Sequence, residues 1–168
     1  TFSESMLSST ITTSTFTVDR NISGAVSYSG TTATFTPSAS LSSYSRYTVT
    51  ITTGVTDAAG NAMAANATWS FTTADTTAPS GLVTINSNDT YTTSTTATLN
   101  LTATDTAGVT GYYASETSTT PSPGDTGWTA VTSTASYSAN APFTLGSGDG
   151  TKTVYVWYKD AAGNVSSA

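Results

Sequence analysis

Short segments in which apolar and polar residues alternate constrain the fold of this chain more than any other feature. In residues 96–105 (TATLNLTATD) every second residue from Ala97 to Ala103 is apolar. A period of two places successive side chains on opposite faces of a β-strand. Similar segments recur between turn-forming Ser, Gly, Asn and Pro residues, so we predict an all-β protein built from sandwiches. The predicted strands cover residues 25–29, 32–37, 46–55, 68–73, 81–86, 96–105, 109–116, 127–131, 135–143 and 151–160.

The alternation also predicts which side chains point into the cores. It places Tyr155 and Trp157 on the outer face of the last strand, opposite its inward residues. The residues predicted to face inward are Tyr47, Val49, Ile51 and Val55 in the first half, and Ala97, Leu99, Leu101, Ala103, Val154, Val156 and Tyr158 in the second.

Composition argues against several classes of function. Ten acidic residues against four basic ones give a net charge of −6, which disfavours nucleic acid as a partner. No run of 18 apolar residues occurs, so we expect no membrane insertion. The chain has no His and no Cys; because the usual general base and thiol nucleophile are missing, we expect no enzymatic activity. Disulfides cannot stabilise small domains here, which makes a metal ion the first alternative.

A repeated pentapeptide divides the chain. The sequence DAAGN occurs at 57–61 and again at 160–164, each time directly after a predicted strand. Such a repeat indicates two copies of one structural unit. Between them, the segment 74–80 combines Pro79 with small polar residues, as linkers do. We predict one domain at 1–74, a linker at 75–80 and a second domain at 81–168.

Several longer motifs resemble those of bacterial Ig-like domains. Residues 1–74 resemble one such type in FSESM (2–6), YTVTITTGVTDAAGN (47–61) and WSFTT (69–73). Leu41, six residues before Tyr47, resembles the entry into strand F of immunoglobulin-like sandwiches. Residues 75–168 resemble a second type in DTTAP, TATDTAGV and VYVWYKDAAGNVS. The resemblance implies two tandem immunoglobulin-like β-sandwiches, each lacking a terminal edge strand in this fragment: the first strand of one domain and the last of the other.

Three aspartates are expected to converge at one end of the second domain. Alternate loops of an antiparallel sandwich lie at the same end, so Asp105 and Asp160, which end two strands, should meet Asp75 of the linker. Converging carboxylates repel one another unless protonated or neutralised by a cation. Calcium accepts six to eight oxygen ligands, whereas zinc favours the absent His and Cys. We predict a Ca²⁺ site formed by these aspartates, with Asn164 as a candidate further ligand.

The first domain repeats part of this pattern. Glu4 and Asp57 are predicted to form a half-site of the same kind at its outer end. A simpler interpretation of DAAGN is equally favoured for the motif alone. In it the Asp accepts hydrogen bonds from nearby backbone N–H groups and the Gly adopts a positive φ, which makes a good turn without a metal.

The resemblance implies a stalk segment of a secreted or cell-surface, adhesin-like bacterial protein, with calcium stiffening its interdomain joints. Its expected partners are neighbouring Ig-like repeats of the same chain or of adjacent subunits. One alternative is a carbohydrate- or surface-binding module, in which Tyr155 and Trp157, with Tyr112, Tyr113 and Trp128, stack against a surface polysaccharide. Against it, Trp128 and one of the two tyrosines are expected in the core. Another alternative is a filament subunit that takes its missing edge strand from a neighbour.

Overall fold

A computed structural model describes residues 1–168, which form two compact units, Thr1–Ala74 (unit 1) and Asp75–Ala168 (unit 2). Residues 75–80, interpreted above as a linker, are part of unit 2. Apart from two short 3₁₀ helices at Ser8–Thr10 and Asn86–Asn88, the regular structure is all β, which confirms the predicted fold class. The strands are β1 (Phe16–Val18), β2 (Gly24–Ser29), β3 (Thr32–Pro37), β4 (Arg46–Ile51), β5 (Ala67–Thr72), β6 (Ser80–Ile85), β7 (Thr96–Ser115), β8 (Thr129–Thr144) and β9 (Tyr155–Asp160).

Unit 1 combines a three-stranded antiparallel sheet, in the order β1-β4-β5, with the β2–β3 hairpin. The four residues predicted to point inward from β4 and the segment after it are all buried, with Val55 fully so. The Ser42 backbone N–H donates to the Tyr47 hydroxyl at 3.0 Å, which fixes the chain where it enters β4. The core of unit 1 is therefore organised around β4, as its alternation predicts.

Unit 2 is one antiparallel sheet of four strands, built around the two long strands β7 and β8. The first half of β7 pairs with β6 and with the end of β8, while its second half pairs with β9 and with the start of β8. The alternation predicts two separate strands in place of each long one, at 96–105 and 109–116 and at 127–131 and 135–143. Both divisions were wrong because β7 and β8 each run unbroken. The pairing of β7 with β8 is irregular between Thr104 and Val109, and such an irregularity bends a strand without ending it. The inward residues Leu99, Leu101, Val156 and Tyr158 belong to one buried hydrophobic cluster.

The prediction that Trp157 lies on an outer face was wrong. Its side chain is only 1% exposed, and its ring packs edge-on against Tyr113 of the neighbouring strand. The chain between β7 and β8 lies over this face of β9, where Lys159 Nζ donates to the Pro123 carbonyl and sits 4.7 Å from the Trp128 ring. Because β9 is covered on both faces, three successive residues are buried and the alternation fails there.

Candidate metal centre

Three carboxylates from distant parts of the sequence meet within unit 2. Asp75, Asp105 and Asp160 each offer an oxygen atom, and these oxygens all lie within 4.8 Å of one another. Strand register explains the convergence. Ser80, which begins β6, pairs with Thr104, and Asp160, which ends β9, pairs with Val109. Both pairings flank the bend of β7 that carries Asp105, so the structure brings together the three residues predicted from the sequence.

The bend in β7 is stabilised by Asp105 itself. One of its carboxylate oxygens, Oδ1, accepts the backbone N–H groups of Ala107 at 2.8 Å and Gly108 at 2.9 Å. Gly108 has φ +101°, a conformation that side chains disfavour. Both of these bonds go to the same one of the two carboxylate oxygens of Asp105. Asp105 thus shapes the backbone and supplies charge at the same point.

The second DAAGN copy holds Asp160 in place. Asn164 donates its backbone N–H to Asp160 Oδ1 at 2.9 Å and its side-chain Nδ2 to Asp160 Oδ2 at 2.7 Å. The same Nδ2 also donates to the backbone carbonyl oxygen of Asp75 at 3.4 Å. The side-chain Oδ1 of Asp75 accepts the backbone N–H of Thr77. Asn164 therefore links two of the three aspartates as a hydrogen-bond donor, a positioning role that the sequence analysis did not anticipate.

The electrostatics of the cluster favour a cation. Asp105 is 9% exposed and Asp160 is 3% exposed, so water screens their charges poorly. At the separation found here, each pair of ionised carboxylates repels by on the order of 3 kcal/mol with an effective dielectric constant of 20. A divalent ion between the three oxygens reverses the sign of this energy.

The donor set suits calcium. All three groups are hard carboxylate oxygens from separate segments, which matches the oxygen-rich and flexible coordination of Ca²⁺. The unit has neither the thiolates nor the imidazoles that softer metals take. Asp75, Asp105 and Asp160 would hold the ion, and backbone carbonyls or water would complete the shell.

The first DAAGN copy forms the same turn without the same cluster. Asp57 Oδ1 accepts the N–H groups of Ala59 and Asn61, and Asn61 Nδ2 donates to Asp57 Oδ2 at 2.8 Å. These bonds, led by that of the Asn61 side chain, lower the pKa of Asp57 below its ordinary value of 3.8. Asp57 also forms an isolated bridge with Met6, while Glu4 is exposed and these two acidic residues have no third one beside them. The half-site stays a prediction, and the turn is the part of the motif that both copies share.

The aromatic residues considered for polysaccharide binding form a packed group instead of an open platform. Tyr113 contacts both Trp128 and Trp157, and Tyr155 stacks on Trp157 at a ring separation of 6.0 Å. Trp128 donates its indole N–H to the Ser122 carbonyl. Tyr155 and Trp128 are half-buried and Trp157 is buried, which leaves little flat aromatic surface for a sugar ring.

The nearly all-β architecture of the chain is consistent with the immunoglobulin-like β-sandwich fold. A model of the family described as bacterial Ig-like domain matches residues 1–73, which is all of unit 1 except its last residue. Unit 1 thus has the Ig-like fold that occurs in structural modules of bacterial surface proteins. No curated protein and no solved structure matches the chain. None of the helices is long and apolar enough to cross a membrane.

Proposed function

We propose that the chain is a segment of an extracellular stalk on the bacterial surface, in which bound calcium stiffens the joints between successive Ig-like modules. The observation that carries this proposal is the convergence of the three carboxylates, two of them buried, in unit 2. The match of residues 1–73 to bacterial Ig-like domains supports the structural role. The partners would be neighbouring Ig-like repeats of the same kind.

The position of Asp75 links the ion to the mechanics of the chain. Asp75 is the first residue of unit 2 and directly follows Ala74, the last residue of unit 1. An ion held by Asp75, Asp105 and Asp160 ties this entry point to β7 and β9. Restricting Asp75 reduces the conformational freedom of the chain between the two units, which is how a stalk gains stiffness.

Calcium would also stabilise unit 2 directly. An ion that binds the folded state alone adds RT ln(1 + [Ca²⁺]/Kd) to the free energy of unfolding. Extracellular modules commonly have Kd values of about 10⁻⁴ to 10⁻³ M. A stalk with such sites would be firm outside the cell and loosened by a chelator.

The test is a calcium titration by isothermal calorimetry on chelator-stripped protein. We expect one site at millimolar affinity or tighter in the wild type and no binding heat in Asp105→Asn. The matched control is Asp57→Asn, which alters the other DAAGN copy and should leave the affinity of this site unchanged. Absence of binding up to roughly ten times the weak end of that range would reject the proposal and leave DAAGN as a turn only.

A further inference from the structure

Strand β5 presents two aromatic side chains that the core of unit 1 covers only in part: Trp69 contacts the core residue Phe16, and Phe71 stacks on Tyr47. Trp69 and Phe71 pair with Val49 and Tyr47 of β4, and directly opposed residues of an antiparallel pair lie on the same face. Their β4 partners are 4% and 2% exposed, whereas Trp69 is 46% exposed and Phe71 is 40% exposed. The core face of the sheet is therefore buried along β4 and only partly covered along β5.

The same strand has an unpaired backbone edge. β5 pairs with β4 only and ends the β1-β4-β5 sheet. The Thr73 N–H donates to the Ser45 carbonyl beside β4, and hydrogen-bonding direction alternates along an antiparallel strand. The backbone groups of Thr68, Ser70 and Thr72 therefore point away from β4. Nothing on β5 blocks that edge, because its sequence ATWSFT contains no charged residue and no proline.

We propose that β5 pairs with β5 of a second copy of this chain, antiparallel about a two-fold axis at Ser70. The sequence is self-complementary in this register. Ser70 meets Ser70, Thr68 meets Thr72, and Trp69 meets Phe71 twice on the partly covered face. The outward-pointing backbone groups then form about six hydrogen bonds, and the two aromatic cross-strand pairs cover one another.

Charge favours a second copy of unit 1 as the occupant. Unit 1 carries a formal charge of only −1, from three acidic and two basic residues, whereas unit 2 carries the other −5 of the total of −6. Two nearly neutral copies of unit 1 repel each other little when they meet, whereas two copies of the acidic unit 2 would repel each other more strongly. The charged residues of unit 1 are Glu4, Asp19 and Asp57 against Arg20 and Arg46.

The size of the contact sets the expected affinity. An aromatic side chain buries about 150–250 Å² when fully covered, so the exposed parts of the four aromatics amount to roughly 350 Å² in total. With the backbone edge added, the interface falls in the small class typical of weak association. We expect a reversible dimer at protein concentrations of roughly 10–100 µM and above.

Cysteine cross-linking tests the register, since the chain has no cysteine of its own. Opposed residues of a hydrogen-bonded antiparallel pair have Cα atoms about 5.5 Å apart, within the range for a disulfide. Ser70→Cys should therefore form a covalent dimer under mild oxidation. Thr68→Cys is the matched control: it lies on the same face of the same edge, but faces Thr72 of the other copy and should cross-link at least tenfold more slowly. Equal rates would overturn the proposed register.

Analytical ultracentrifugation of the full chain tests the dimer without oxidation. The wild type should shift from monomer to dimer with concentration, and Trp69→Thr should weaken association at least tenfold while unit 1 stays folded by circular dichroism. Ser70→Pro removes a backbone N–H that does not bond to β4. It should therefore block the dimer while β5 stays paired with β4. A wild type that stays monomeric at about 1 mM, or a dimer that survives both substitutions, would overturn the proposal.

Discussion

Substituting Asp105 with Asn separates the structural role of the aspartate from its charge. Asn retains a side-chain oxygen that can accept the N–H groups of Ala107 and Gly108, which Asp105 accepts at 2.8 and 2.9 Å. The bend in β7 should therefore persist. The substitution removes one of three carboxylates whose oxygens lie within 4.8 Å of one another. In the presence of a chelator, the variant should be at least as stable as the wild type because repulsion is relieved.

In calcium the order should reverse. At a free calcium concentration of 100 times Kd, one site adds about 2.7 kcal/mol to the free energy of unfolding. For a domain of the size of Asp75–Ala168, each kcal/mol raises Tm by about 4–8 °C. Calcium should thus raise the Tm of unit 2 in the wild type by roughly 10–20 °C, and should change that of Asp105→Asn by far less.

Differential scanning calorimetry of the full chain measures both effects. The transition of unit 1 serves as an internal reference, since the three aspartates all lie in unit 2. Asp57→Asn is the matched variant and should keep the full calcium response of unit 2. The reasoning would be refuted by equal calcium shifts in the wild type and Asp105→Asn, or by a variant markedly less stable than the wild type in chelator.

Three further predictions concern single side chains within unit 1 or unit 2. Trp157→Ala should destabilise unit 2 by about 3–5 kcal/mol in urea unfolding, because it empties a fully buried site; a change below about 1 kcal/mol would contradict that burial. Burial raises the pKa of Tyr158 from 10.0 to about 12, so the unfolded state loses this proton first. Unit 2 should therefore lose stability as the pH rises from about 10 to 12, and in Tyr158→Phe the Tm should depend less on pH over that range; an unchanged slope would contradict this assignment. Asn61→Ala should raise the low pKa of Asp57 towards 3.8 in an NMR titration of the carboxyl group. Because folding lowers that pKa, the ionised Asp57 stabilises unit 1 above about pH 4, and this stabilisation is lost as the pH falls through the folded-state pKa; an unmoved pKa would exclude the Asn61 side chain as its main cause.

Most strands and inward faces were predictable because alternation is a local property, whereas the three-residue strand β1 was too short to be predicted in this way. Leu99, Leu101 and Tyr47 are buried as their period of two predicts. The failure at Trp157 has a physical reason: the chain between β7 and β8 covers the second face of β9, with Lys159 bonded to the Pro123 carbonyl. Contacts between residues 36 positions apart leave no periodic signal in either segment.

The candidate metal centre was predictable for a different reason. The order of antiparallel strands decides which loops share an end of a sandwich, so Asp75, Asp105 and Asp160 could be grouped before their distances were known. The role of Asn164 was not predictable, since its bonds to Asp160 and to the Asp75 carbonyl depend on side-chain orientation in the folded turn.

By itself, the sequence determined the all-β class, the two copies of the DAAGN turn and most of the residues predicted to face the cores, because strand periodicity and turn chemistry act over a few residues. Only the tertiary structure decided that β7 runs unbroken through its bend, that Trp157 is buried, and that Trp69 and Phe71 remain partly exposed at the edge of unit 1. These outcomes depend on which distant segments cover a given face, and that is set by the packing of the whole unit.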